Sequence, residues 1–380
     1  MLGLALEGGG AKGAFHIGVV KALLEQGYHF DGISGTSIGA INGALIAQGD
    51  FDSIYKLWEN MDSSLLFDIE EPHIQKIFNK QFDADSIAYL RTKIKSIVDN
   101  KGLDTSKIKA LLDNIIDEPK LRKSPIDFGM VTVSLTDFKP LQLYKEDIPE
   151  GQMTTYLMAS ANFPVFKIEP IDGKYYIDGG LYDNCPINLL IRKGCTEIIA
   201  VRTFGVGINQ KVKDKNVNIT YITPSESLGN ILHFNPQVIQ KNLKLGYFDA
   251  MRVMKGLKGR KYYITASSDN IFFEFLLSLP DDVIIELGKH LKLSPIQPKR
   301  LLFEKIIPSI ITLLKLDSTS TYQEIVIGIA EYAAEMLDIE RFNIYSFKEL
   351  VEIIKKAEPT AQPIKHKTMV NIFKQMLSFI

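Results

Sequence analysis

Two glycine-rich turns near the start of the chain constrain its fold more than any other feature. The first is Glu-Gly-Gly-Gly-Ala-Lys-Gly, Glu7 to Gly13. It follows the apolar run Leu2 to Leu6 and leads into a helical pattern in which Phe15, Gly18, Val19, Ala22 and Leu23 share one face, with Gly27 at the C-cap. The second is Gly-Thr-Ser-Ile-Gly, Gly35 to Gly39, between the short apolar run Phe30 to Ser34 and another helical pattern that starts near Ile38. Strand, helix, strand, helix in that order predicts an α/β fold, with a parallel sheet covered by helices. Parallel crossovers are right-handed and usually set consecutive strands side by side. Both turns then stand at the carboxyl edge of the sheet, where α/β proteins place their ligand sites.

The rest of the chain divides in two. Residues from about 52 to 127 read as helical and charged, with breaks at Glu71-Pro72 and Asn100 to Gly102. Phe128 to Asp137 and Lys139 to Tyr144 read as a strand pair around a turn, Glu150 to Ser160 as a helix, and Gly173 to Gly180 as a strand running into a tight turn. Thr196 to Phe204 and Asn218 to Ile222 are two more buried strands. After about Ser268 strand signals stop. Five amphipathic helical stretches follow, separated near Pro280, Pro295 to Pro298, Asp317 to Thr321 and Pro359, and Ser346-x-x-Glu349 is a capping box. The expected organisation is a catalytic domain at 1–268 and a smaller, all-helical C-terminal domain at 269–380.

A chain of 380 residues can bury the core this requires. Its formal net charge of −1 provides no field for nucleic acid, and no nucleic-acid partner is expected. Only Cys185 and Cys195 occur, which makes no disulfide framework and favours a reducing compartment. The first apolar run ends at Glu7, too soon for a signal peptide. No apolar run approaches the roughly 18–20 residues that span a bilayer. A cytoplasmic protein is expected, with peripheral contact to membranes left open.

Gly8-x-Gly10-x-x-Gly13 matches the dinucleotide fingerprint. Two features speak against that use. Asp31 lies at the start of the second strand, where the ribose-binding acid should close it, and the second glycine turn occupies the place of the ribose contact. A Walker A loop fails too, because Ala14 and Phe15 follow Gly13. The other chemistry open to a helix-opening glycine loop is to donate free N–H groups to an oxyanion beside a nucleophile. Gly35-x-Ser37-x-Gly39 supplies the nucleophile: a serine at a sharp strand-to-helix turn needs tiny neighbours two positions either way. Of the six histidines, His16, His29, His73, His233, His290 and His366, none sits in a turn after a late strand. The candidate base is Asp178 in Tyr-Tyr-Ile-Asp-Gly-Gly, whose carboxylate can stand at the same sheet edge. An aspartate is a weak base at its reference pKa of about 3.9, and desolvation would raise it.

Taken in order, Glu7 to Gly13, Gly35 to Gly39 and Ile177 to Gly180 resemble the patatin family of lipid acyl hydrolases, as do Ala159 to Phe166 and Asp178 to Pro186. The resemblance covers roughly residues 2–265. It implies a three-layer α/β/α domain with a mainly parallel sheet and a Ser37–Asp178 dyad without catalytic histidine. It also implies an oxyanion hole from the backbone at Gly8, Gly9, Gly10 and Ala11, hydrolysis of fatty-acyl esters, often in phospholipids, and no metal or organic cofactor. The chain departs from the common pattern with Glu7 for Asp and Lys12 for Arg. Lysine lacks arginine's bidentate grip on phosphate. Two readings of Lys12 stand, one as a contact to a substrate phosphate and one as a solvated helix-start lysine. The rival functions are a dinucleotide-dependent oxidoreductase and a catalytically silent lipid-binding protein.

Overall fold

A computed structural model describes residues 1–66, 105–164, 166–167, 169–266, 268–358 and 364–380. The helical breaks expected at Glu71-Pro72 and Asn100 to Gly102 lie outside the described residues. The chain forms two compact units, Met1–Ala250 and Met251–Ile380. The expected boundary after residue 268 falls inside the second of them, because the strand Tyr263–Thr265 pairs with Ile344–Ser346 in that unit.

The first unit is built on a mainly parallel sheet between helices. Its strands are β1 (Leu2–Leu6), β2 (Gly32–Thr36), β3 (Asp127–Ser134), β4 (Lys139–Tyr144), β5 (Tyr176–Asp178), β6 (Glu197–Val201) and β7 (Asn218–Ile222). The spatial order is β4-β3-β2-β1-β6-β7, and β5 pairs with β3. The pairs β1–β2, β1–β6, β2–β3 and β6–β7 are parallel; β3–β4 and β3–β5 are antiparallel. β1 and β2 are almost wholly buried, as strands covered on both faces must be. Registers bring the functional turns level. Leu6 pairs with both Gly35 and Val201, Thr36 with Val131, and Thr132 with Asp178. The second strand begins two residues later than the expected Phe30 and ends at Thr36, so Ser37 follows it directly.

The helices of this unit are α1 (Gly13–Glu25), α2 (Ile38–Ala47), α3 (Phe51–Glu59), α4 (Ser106–Ile115), α5 (Glu118–Lys123), α6 (Met153–Ser160) and α7 (Ile187–Arg192), and α8 (Pro236–Lys255) runs out of it. α1 closes on a left-handed Gly27 (φ 81°): the Tyr28 N–H reaches the Leu23 carbonyl and the Gly27 N–H reaches Leu24, a Schellman cap. α1 is buried on most of its surface because α8 lies across it. Gly18 and Gly246 make that crossing: a Cβ at Gly18 would lie 2.0 Å from the Leu243 carbonyl oxygen, and one at Gly246 would lie 2.2 Å from that of Phe15.

The second unit is helical around one apolar core. Its helices are α9 (Asp269–Ser278), α10 (Asp281–His290), a run formed by Pro298–Leu301, a π-helical turn Leu302–Ile306 and Ile307–Leu313, then α11 (Tyr322–Met336), α12 (Phe347–Lys356) and α13 (Ile364–Leu377). Phe272, Leu276, Ile284, Leu302, Ile310, Ile329 and Leu350 fill the core. The run from Ile306 thus serves as a core helix, and Ile372, Phe373 and Met376 of α13 are buried in the same core. Ser346 caps α12 through the capping box with Glu349. Two strands that the sequence pattern did not reveal, β8 (Tyr263–Thr265) and β9 (Ile344–Ser346), form a short parallel pair. At three residues each they are too short to show a period. Among the described residues no helix is long and apolar enough to cross a membrane, and both cysteines are buried and free.

The α1–α8 crossing yields a test. Gly18→Ala is expected to destabilise the protein by about 1–3 kcal/mol, the range for forcing a methyl into a packed contact, despite alanine's better helix propensity. Denaturant unfolding followed by circular dichroism measures it, and Gly27→Ala, with open space around its Cβ position but left-handed backbone, should cost less, on the order of 1–2 kcal/mol.

Candidate active site

The site is assembled at the carboxyl edge of the sheet from the turns after β1, β2 and β5. Ser37 occupies the N-cap of α2 with φ 58° and ψ −128°. This left-handed conformation is costly for a residue with a Cβ. The turn is held by close packing. A Cβ at Gly35 would lie 2.1 Å from the Gly39 carbonyl oxygen, and one at Gly39 would lie 2.2 Å from that of Leu6. The two glycines therefore let α2 start directly against β1 and β2, and this is the physical content of the Gly-x-Ser-x-Gly spacing. The Ser37 N–H donates to Ser160 Oγ at 3.0 Å, and the Ser160 hydroxyl in turn donates to the Val131 carbonyl at 2.6 Å. One buried hydroxyl at the end of α6 thereby ties the serine turn to β3.

Asp178 ends β5 opposite Thr132. It is 5% exposed, accepts the Gly180 N–H at 2.8 Å and lines the same cavity as Ser37. Burial pushes its pKa up to about 6, opposed by the nearby Ser37 side chain and the Gly180 N–H, which pull it down. Thr132 braces the strand ends, its hydroxyl lying 3.1 Å from the Ala159 carbonyl and 3.0 Å from that of Ile177. A second buried carboxylate, Asp183, is also pushed up to about 6 by burial, opposed by the Gln210 N–H. It accepts that N–H at 3.2 Å, and its carbonyl receives the Thr36 hydroxyl at 2.7 Å.

The glycine turn opens as a short 3-10 helix, Gly10–Lys12, before α1. Its four candidate donors are not equivalent. The Gly8 N–H goes to the Asn184 carbonyl at 2.9 Å, and the Ala11 N–H to the Ile231 carbonyl at 2.7 Å. The N–H groups of Gly9 and Gly10 have no hydrogen-bond partner among the described residues, and these two residues line one cavity with Ser37 and Asp178. Gly10 is left-handed (φ 57°), and a Cβ there would lie 2.0 Å from the Ile231 oxygen. Lys12 does not line the cavity. Its ammonium donates to the carbonyls of Phe204 at 3.0 Å and Thr203 at 3.3 Å, and burial holds its pKa below the ordinary lysine range, opposed by Glu7.

The cavity encloses about 1030 Å³ when the open solvent at its mouth is included. Ile38, Ile41 and Leu45 of α2, Trp58 of α3, Leu112 of α4 and Phe234 line it. Apart from the Ser37–Asp178 end and the amide of Asn42, the walls are mostly apolar. Asn42 is spent on structure: it donates to the Gly13 carbonyl at 3.1 Å, accepts Trp58 Nε1 at 2.9 Å and lies 3.3 Å from His16 Nδ1. His16 is fully buried, and desolvation pulls its pKa down to about 3, so it stays neutral. Among the described lining residues there is no histidine, and no cluster of His, Cys, Asp and Glu among the described residues could hold a metal ion. Ser37, Asp178 and the glycine turn, the candidates in the sequence, come together at one cavity. The sequence pattern did not reveal Ser160, Asn184 and Ile231, although Ser160 and Asn184 lie inside the two further blocks already singled out.

Residues 4–191 match a family model described as Patatin-like phospholipase. Relatives include an uncharacterized NTE family protein of Mycobacterium bovis, 26% identical over 218 residues, which are 57% of this chain and 52% of that protein. Patatin-like phospholipase domain-containing protein 6 of Homo sapiens is 27% identical over 203 residues, 53% of this chain and 13% of that protein. The chain thus matches about half of the first relative and a small part of the second. Among solved structures, VipD from Legionella pneumophila aligns over 99% of this chain and 91% of its own at 15% identity and TM-score 0.42. The ExoU–SpcU complex from Pseudomonas aeruginosa aligns over 98% of this chain and 74% of its own, at 15% identity and TM-score 0.34.

The Asp178 environment makes two pH predictions. Should Asp178 serve as the base of an ester hydrolase, kcat/KM is expected to fall on the acid side with an apparent pKa near 6, because a base that must be ionised loses function as it protonates. The stability sign runs the other way. The folded pKa of about 6 exceeds the ordinary aspartate value of 3.8, so the group adds no cost below the unfolded value. It grows destabilising as pH rises between the two, by roughly 3 kcal/mol at full extent. Asp178→Asn should raise the Tm at pH 8 and leave it nearly unchanged at pH 4, measured by scanning calorimetry.

Proposed function

Since the chain belongs to the patatin-like phospholipase family through residues 4–191, we propose that it is a serine hydrolase of fatty-acyl esters in lipids, of the phospholipase A or lipid acyl hydrolase type. The observation that carries this is the placement of Ser37 and the buried Asp178 carboxylate together at one end of a mostly apolar cavity. An acyl chain lies in the cavity and presents its carbonyl at Ser37. Asp178 takes the serine proton as Oγ attacks. The tetrahedral oxyanion accepts the N–H groups of Gly9 and Gly10, the two donors of the turn that face the cavity unengaged, and the start of α2 adds its positive dipole end. Protonated Asp178 then donates to the leaving alkoxide, and an acyl-enzyme remains on Ser37. Water enters and attacks the acyl carbon as Asp178 accepts its proton, and Asp178 returns that proton to Ser37 Oγ as the fatty acid departs.

Several features support this assignment of roles. A carboxylate at about 6 is ionised at neutral pH, yet is a better base than an exposed aspartate, as general-base catalysis requires. Gly8 and Ala11, expected among the oxyanion donors, serve here to fix the turn to Asn184 and Ile231, while Gly9 and Gly10 do the stabilising. A phosphate contact by Lys12 would have to use whatever donor capacity its bonds to Thr203 and Phe204 leave over. The lipid headgroup is the solvent-side portion of the substrate, and contact with a membrane surface would be peripheral.

Two variants and a probe test the proposal. A fluorophosphonate should label Ser37 in the intact protein, and Ser37→Ala should abolish both labelling and ester hydrolysis while the circular dichroism spectrum is kept. Asp178→Asn should lower kcat by at least about 10²-fold. Replacing each histidine in turn should leave substantial activity. Absence of labelling in the wild-type protein, or a histidine as damaging as Asp178 in a folded variant, overturns the dyad.

A further inference from the structure

The mechanism above does not use Glu7, yet its carboxylate holds more hydrogen bonds than the folding of a turn demands. Glu7 is fully buried and stands between β1 and the three glycines. One carboxylate oxygen accepts the N–H groups of Thr203 at 2.6 Å and Phe204 at 2.9 Å. The other accepts the Arg202 guanidinium at 2.9 Å and, at 3.4 Å, the Asn209 amide. All four donors belong to the segment that follows β6. That segment grips the glycine turn in return. The Thr203 hydroxyl donates to the Gly8 carbonyl at 2.8 Å, and Lys12 donates to the Thr203 and Phe204 carbonyls. Phe204 is left-handed (φ 48°) and exposed, while its N–H is held by Glu7 and its carbonyl by Lys12. The contact leaves no slack: a Cβ at Gly205 would lie 2.0 Å from the Gly8 oxygen, and one at Gly9 would lie 2.6 Å from Thr203 Oγ1.

We infer that Glu7 and Lys12 are positioning residues that clamp the glycine turn at both ends against the 202–209 segment and so set the direction of the Gly9 and Gly10 N–H groups. The inference rests on the hydrolase reading and adds to it a role for two charged residues that do not line the cavity. The two unengaged donors lie between the clamped ends: Glu7 holds the strand side and Lys12 the helix side. An oxyanion hole works through donors fixed before the charge develops, and displacement of about 1 Å can cost 10²-fold. A buried carboxylate is a poor way to gain stability, since desolvation opposes it. Its value lies in fixing four donors at once through charge-assisted hydrogen bonds. On this account Lys12 is a strut, and the common Arg at its position would reach the same carbonyls.

The test compares steady-state kinetics of the full chain on two substrates, an uncharged p-nitrophenyl acyl ester and phosphatidylcholine in mixed micelles. Glu7→Gln and Lys12→Met should each lower kcat about 10-fold or more on both substrates by similar factors, with KM moved less than about 2-fold. Affinity for a trifluoromethyl ketone, which forms a tetrahedral oxyanion on Ser37, should fall in proportion to kcat/KM. Lys12→Arg and Glu7→Asp should restore most of kcat. If Glu7→Gln does not fold, Lys12→Met and Thr203→Val, which removes only the bond to Gly8, carry the same comparison. A loss confined to phosphatidylcholine would make Lys12 a phosphate contact and overturn the inference, as would a fall in Tm with kcat unchanged. Wild-type protein with no activity on either substrate and no fluorophosphonate label at Ser37 would remove the hydrolase reading itself. Wild-type activity with variants that do not split in this way removes the clamp alone.

Discussion

The start of α2 against the end of β1 is the contact on which the site depends. The Leu6 carbonyl lies where a Cβ of Gly39 would be, and the Gly39 carbonyl lies where a Cβ of Gly35 would be. With both side chains missing, the chain reverses between Thr36 and Ile38 within a single residue. That residue, Ser37, must take a left-handed conformation, a cost of about 1–2 kcal/mol. Burial of α2 from Gly39 to Ala47 offsets it, since those apolar side chains leave water only if the helix begins at that point. Core packing thus holds the strained serine up at the sheet edge, level with Gly8 and Asp178.

The apolar cavity has a second consequence at this edge. Its walls exclude water from Asp178 and so raise the carboxylate to about 6. On the proposed reading one desolvated volume both takes the acyl chain and tunes the base, and the same desolvation makes the ionised aspartate destabilising to the fold at neutral pH. Such opposition between stability and function is common at working sites. Asp183 shows that burial alone does not identify the base. It is shifted in the same direction but does not line the cavity, and its hydrogen bonds go to the 210 region and the β2 end.

Around the serine the buried polar groups are assigned one by one. Ser160 holds the Ser37 N–H, Asn184 and Ile231 take two N–H groups of the glycine turn, and Glu7 and Lys12 tie that turn to the segment after β6. Among the described residues, this allocation leaves the N–H groups of Gly9 and Gly10, two residues that line the cavity, without partners. The site is defined as much by which donors are occupied as by which are present.

The order of the elements, the parallel sheet and the residues at its carboxyl edge were legible in the sequence, because glycines that avoid backbone collisions and a serine between them leave a local pattern. The helical second unit was legible for a similar reason: its apolar periodicity and the Ser346 to Glu349 capping box are local. Other features were not. The pair β8–β9 is too short to carry a period, and the split of Gly8 to Ala11 into engaged and unengaged donors depends on Asn184 and Ile231, far away along the chain. Whether Lys12 is solvated or set against carbonyls depends likewise on the path of residues 203 and 204. Backbone geometry and apolar periodicity are written within a few residues of where they act, so the chain alone determined the fold and the dyad candidates. Hydrogen-bond partners and desolvation are set by segments brought together from distant parts of the chain, so only the tertiary structure decided which donors of the turn are engaged and that burial shifts Asp178 upward.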